Sequence, residues 1–192
     1  QTSLLWRDQV KEETVRYLVD MVHEVAGVPV VSNAVWHLGD GRDIRDPARS
    51  QDWVQVEVQP KYFGFTDDAP PEWARFKLAT ETSRYVTLLT KEPPWVVASY
   101  FLAWPWRRVA TPYHEQKLIL AQLAANGAAP MVNLSGGPPK VHEDQRGFQA
   151  TEEVYTFMAD RPEAFEGDAS AATVALVYSE IGRASCRERV CH

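Results

Sequence analysis

Cysteine is almost missing from this sequence. Both cysteines of the 192-residue chain, Cys186 and Cys191, stand at its C-terminal end, and the body before them has none. The body therefore holds no disulfide framework and no thiol nucleophile, and Cys186-x4-Cys191-His192 lacks the second half of a zinc site. Long apolar runs are missing too, since none approaches the roughly 20 residues of a membrane span. Positive charge is in deficit: the formal net charge is -6, which leaves no basic footprint for nucleic acid. No G-x-G-x-x-G follows any apolar run, and Ser135-Gly136-Gly137 is too sparse to cradle a phosphate, so a nucleotide-binding fold loses its main support. His23 and His114 fall in helical patterns and His37 and His142 in loops, without the spacing of a metal site. Neither a metal nor a cofactor is expected.

What is present is enough apolar material, 45% of residues, for one good-sized core. The chain starts at Gln1 with no signal segment before the first helical pattern, so a cut N-terminus is expected. The composition changes abruptly after VALVYS. Residues 180–190, EIGRASCRERV, read as the translation of a sequencing adapter, so residues 180–192 are not expected to belong to the fold.

Between these ends, helical and strand patterns alternate. A first helix is expected over residues 8–26, with Thr14, Leu18, Met21, Val22 and Val25 as its apolar stripe and Gly27 closing it. Strands are expected at VPVVSN, DWVQVEVQP, PWVVASYF and APMVNLSG. Helices are expected over residues 72–89, 113–125 and 151–159, the one over 113–125 stopped by Asn126-Gly127, with VALVYS as a last strand. Short strands alternating with helices argue for parallel β/α units, in either an open doubly wound sheet or part of a (β/α)8 barrel.

DWVQVEVQP carries the functional question. Val54, Val56 and Val58 alternate with Gln55, Glu57 and Gln59, so the valines suit a helix-covered face and the polar residues the opposite one. In a barrel that opposite face is the lumen, and active sites are built at the C-terminal ends of the strands. On an edge strand of an open sheet the same face would simply be solvated. Asn33 with Trp36, Tyr100 with Trp104, Trp106 and Arg107, and Asn133 also stand at strand ends or just beyond. Rings that stack on sugar faces, beside amides and acids that bind hydroxyls, suit a hydroxyl-rich ligand. Taken singly, each has an architectural reading: core tryptophan, turn asparagine, solvated arginine, or a Glu57 held in an ion pair by Arg107 or Arg42.

The runs SRYVTLLTKEPPWVVASYF and PYHEQKLILAQLAANGAAPMVNLSG resemble the second half of barrel-type glycoside hydrolases of the β-galactosidase family 42 kind. More closely, they resemble the group known as hypothetical glycosyl hydrolase family 6, and AANGAAPMVNLSG is the most specific part. VALVYS resembles the first strand of the flavodoxin-like β-galactosidase trimerisation domain. The resemblance implies an α/β chain in which residues 1–166 are the C-terminal half of a TIM barrel, strands five to eight. Residues 167–179 would then begin the following domain, and the full-length protein could assemble as a homo-oligomer. It implies a carbohydrate substrate. The expected site is then Glu57, as catalytic general acid/base or as a hydrogen-bond acceptor to a sugar hydroxyl, with the strand-end residues Asn33, Trp36, Gln55, Gln59, Tyr100, Trp104, Trp106, Arg107 and Asn133 binding the sugar.

Two departures bear on mechanism. The family's acid/base glutamate ends strand four, outside this chain, and its nucleophile ends strand seven, where PWVVASYF has Ala98 and Ser99. Glu57 takes the place of a substrate-site aspartate on strand six. Three functions are left open: a glycoside hydrolase, inactive as this fragment; a carbohydrate-binding barrel without catalysis; and an interaction or scaffold domain on an open sheet.

Overall fold

The computed structural model describes residues 2–31, 50–58, 72–101, 108–134, 142–165 and 173. The expected strand VALVYS, the tail from residue 180 and both cysteines lie outside these. Four helices are described: α1 (Thr2–Ala26), α2 (Glu72–Thr87), α3 (Tyr113–Ala125) and α4 (Arg146–Asp160). Three strands alternate with them, β1 (Gln55–Val58), β2 (Trp95–Ser99) and β3 (Ala129–Asn133). The strands form one parallel sheet in the sequential order β1-β2-β3, with Val56 opposite Val96 and Val96 opposite Pro130. No reversal interrupts the order.

The even-numbered strand residues build the core. Val54, Val56 and Val58, with Val96 and Ala98 of β2, bury against Ala79 and Val86 of α2, Ile119, Leu120 and Leu123 of α3, and Val154 of α4. All three helices thus seal the same face of the sheet, as the valine alternation of DWVQVEVQP requires.

The end of α3 follows from its sequence. Gly127 adopts a left-handed φ of +78°, its N–H donates to the Ala124 carbonyl, and the Ala128 N–H donates to that of Leu123. This pair of bonds stops the helix and turns the chain straight into β3.

Three expectations are corrected. Residues 28–31 of VPVVSN are not a strand. Pro29 has no N–H to give a ladder, and Asp52 takes both backbone groups of Val30, its Oδ2 accepting from the Val30 N–H at 2.6 Å and its own N–H donating to the carbonyl. The Val30 N–H, and then His23 at 2.8 Å, hold the Asp52 carboxyl below its ordinary pKa. The stripe of α1 is also misplaced. Thr14, Leu18, Met21 and Val25 are exposed and Val22 is half-buried, while Val19 is the buried residue. Periodicity identifies an apolar face without showing that anything packs on it.

The third correction concerns α4, which begins at Arg146 rather than residue 151. Gly147 reads as a helix breaker, but it is buried where a side chain would not fit: a Cβ would stand 2.8 Å from Cε2 of Tyr100 and 2.9 Å from Cδ2. In an exposed helix, Gly→Ala adds about 1 kcal/mol of stability. Here the sign should reverse, because the buried Tyr100 ring, packed at 4.3 Å on Phe148 and 4.9 Å from His142, must move. Gly147→Ala is expected to cost about 1–3 kcal/mol, read as a lower urea midpoint. An unchanged or higher midpoint would show that Tyr100 yields freely.

Candidate functional site

With the even-numbered face sealed by helices, the odd-numbered residues form the other face. Register places Gln55 beside Trp95 and Ala129 in a first row, Glu57 beside Val97 and Met131 in a second, and Ser99 beside Asn133 in a third, nearest the C-terminal ends of the strands. The N-terminal end is apolar, closed by Trp53 stacked on Trp95 with centroids 5.5 Å apart and planes inclined by 13°. Polarity increases toward the other end. There the face carries a carboxyl, a hydroxyl and an amide, and among the described residues it presents no lysine or arginine.

Glu57 is 7% exposed. Burial pushes its carboxyl above the ordinary glutamate range, because desolvation disfavours the charged form. An acid that holds its proton longer than usual, on a polar face beside strand ends, can donate that proton or a hydrogen bond to a ligand oxygen. Gln55 is half-buried and shares the face, as does the half-buried Asn133.

Backbone pairing fixes the rim beyond β2. The Tyr100 N–H donates to the Asn133 carbonyl at 3.1 Å, and the Thr111 N–H donates to the Tyr100 carbonyl at 2.7 Å. Phe101 and Ala110 form an antiparallel bridge. The Thr111 hydroxyl reaches the carbonyls of Ser99 at 3.3 Å and Phe101 at 3.2 Å. Asp144 Oδ2 accepts from the Ala110 N–H at 3.1 Å, and its carboxylate is gripped by the Arg146 guanidinium, which holds the Asp144 pKa down at about 2. Phe101 and Ala110 are thus both held at the rim.

The structure brings together Glu57, Gln55 and Asn133 among the residues expected at the site. It does not bring Tyr100 to them. That side chain turns to the helix-covered face, buried against Gly147, Phe148 and His142. The reason is parity: Tyr100 continues the series of Val96 and Ala98, one residue out of step with Ser99. Asn33, Trp36, Gln59, Trp104, Trp106 and Arg107 lie outside the described residues, as does Arg42.

Ser99 is the residue that sequence reasoning passed over. Its place in the odd series, two residues beyond Val97, was the available signal. It is 9% exposed, on the face of Glu57, and its hydroxyl has no hydrogen-bond partner among the described residues.

Among the described residues no three His, Cys, Asp or Glu side chains cluster as a metal site, and no helix is long and apolar enough to cross a membrane. No protein-family model, curated protein or solved structure matches the chain.

Proposed function

We propose that the chain is an arc of a (β/α)8 barrel from a glycoside hydrolase, with Glu57 as the acid that acts on the glycosidic oxygen. The observation that carries this reading is a buried carboxyl, shifted toward its protonated form, on the face of a parallel sheet that no described helix covers. Sequential strand order and helices confined to one face favour a barrel arc over a doubly wound sheet, which reverses its order and carries helices on both faces. A face that carries a carboxyl, a hydroxyl and amides suits a carbohydrate.

In this mechanism Glu57 protonates the leaving oxygen as the bond to the anomeric carbon breaks, while Gln55 and Asn133 hold ring hydroxyls. A partner carboxylate would come from the preceding half of the barrel, at about 5 Å for retention of configuration or about 6.5–9.5 Å for inversion. Residues 167–179 begin the next domain in this reading, and residues 180–192 are foreign to the fold.

One observation favours a carbohydrate-binding barrel without catalysis. The end of β2, where the resemblance calls for a nucleophilic carboxylate, carries Ser99 instead. The two readings separate in one experiment on the full-length gene product, offered a panel of para-nitrophenyl glycosides. Release of nitrophenol supports the hydrolase, sugar binding without release supports the binder, and neither result would refute both.

A further inference from the structure

We infer that Ser99 is a ligand-holding residue, whose hydroxyl, with the side chain of Asn133, grips one hydroxyl of an uncharged sugar ring. The inference rests on the reading of the Glu57 face as a carbohydrate site and adds both a contact and a substrate class to it.

The argument starts from a cost. A buried hydroxyl that makes no hydrogen bond gives up its water without compensation, an expense of about 1–3 kcal/mol, and such groups are rare in folded proteins. Ser99 Oγ is buried and, among the described residues, has no partner. Nothing about β2 demands a serine there, since alanine would fill the position without an orphaned polar atom. The Thr111 hydroxyl does not supply the partner: it bonds the Ser99 carbonyl, not Oγ. A group held unpaired in the free protein and directed at a ligand face is explained if the ligand supplies the missing partner.

Position supplies the second line. Ser99 stands opposite Asn133 in the ladder, in the row beyond Glu57, so hydroxyl and amide lie side by side at the strand ends. A serine hydroxyl both donates and accepts, and an amide does the same through its two ends, so the pair can satisfy the donor and the lone pairs of one sugar hydroxyl. The substrate class follows from charge. A uronate or sugar phosphate would bring a second acidic group beside the buried Glu57 carboxyl, whereas a neutral hexose or pentose would not.

The test compares wild type, Ser99→Ala and Ser99→Thr in the full-length gene product. The substrates are a neutral para-nitrophenyl glycoside, its singly deoxygenated counterparts and the corresponding uronide. Ser99→Ala is expected to lose about 2- to 12-fold in kcat/KM on the parent glycoside, the scale of one neutral hydrogen bond. It should lose nothing on the one deoxy substrate that lacks the gripped hydroxyl, and its melting temperature should be unchanged or higher. Ser99→Thr, which keeps the hydroxyl, should recover part of the loss, and the uronide should be the poorest substrate for every variant. An equal loss on all deoxy substrates, a lowered melting temperature, no loss at all, or a preferred uronide would overturn the proposal. If Glu57→Gln meanwhile loses turnover, the site reading survives and only the role of Ser99 falls. If the full-length protein neither cleaves nor binds any glycoside, both fall together.

Discussion

Glu57→Gln in the full-length gene product is expected to lower turnover of aryl glycosides about a hundredfold or more, with the fold intact. Glutamine keeps the size and shape of the side chain and can still donate a hydrogen bond, but it has no proton to transfer. General acid catalysis contributes about 10²–10⁴-fold, so the lower end of that range is the least the substitution should cost. Leaving groups should grade the effect: nitrophenol, which departs readily without a proton, should suffer least, and a poor leaving group such as an alkyl alcohol most. Binding of a non-hydrolysed sugar should persist, because the amide still meets a hydroxyl. Unchanged turnover on both classes of glycoside would remove Glu57 from the chemistry.

The second large effect concerns the core under the site. Leu120 of α3 is fully buried among Val56, Val58, Val96 and Ala98 of the strands and Ala79, Val86 and Leu123 of the helices. Leu120→Ala is expected to cost about 2–5 kcal/mol, the lost transfer free energy of its removed carbons plus the cavity they leave. The neighbours are short side chains anchored on strands, which can follow little way into the gap, so the upper half of the range is expected. Urea unfolding of the 192-residue chain reads this directly. A loss below about 1 kcal/mol would mean that α3 does not pack on the sheet as described.

The two faces of β1 were legible in the sequence because strict alternation of valine with polar residues admits one assignment of faces once a strand is granted. The three parallel β/α units were legible for the same kind of reason: a run of β-branched and small residues followed by a helical pattern repeats along the chain. The bounds of α3 could be read closely because Pro112 and Asn126-Gly127 bracket it chemically. By contrast, the start of α4 was placed late, at residue 151 instead of Arg146, since nothing local shows that a helix holds Gly147 where Tyr100, forty-seven positions away, needs the space. Residues 28–31 misled because β-branched composition does not reveal that a side chain, Asp52, satisfies Val30 in place of a neighbouring strand. Tyr100 was assigned to the site by its distance from a strand end, whereas its parity sends it to the core. The same parity brings Ser99 to the site. Side-chain direction at strand ends was therefore the information that a reading by position alone discarded.

The central claim is that Glu57 is kept on this face for a ligand, at some expense to the fold. Thermal unfolding of wild type and Glu57→Gln across pH tests this most directly. The folded-state pKa of Glu57 lies above its unfolded value, because burial disfavours the carboxylate. Below the unfolded value the carboxyl is protonated in both states and the two proteins should melt together. As pH rises through the raised folded value, wild type must hold a buried charge that glutamine does not have. The account therefore predicts that Glu57→Gln becomes the more stable protein, with the gap opening above the ordinary glutamate range and remaining to neutral pH. A Glu57→Gln protein that melts below wild type at neutral pH, with the gap closing as the solution is acidified, would show a carboxylate stabilised by a cation and would contradict the account.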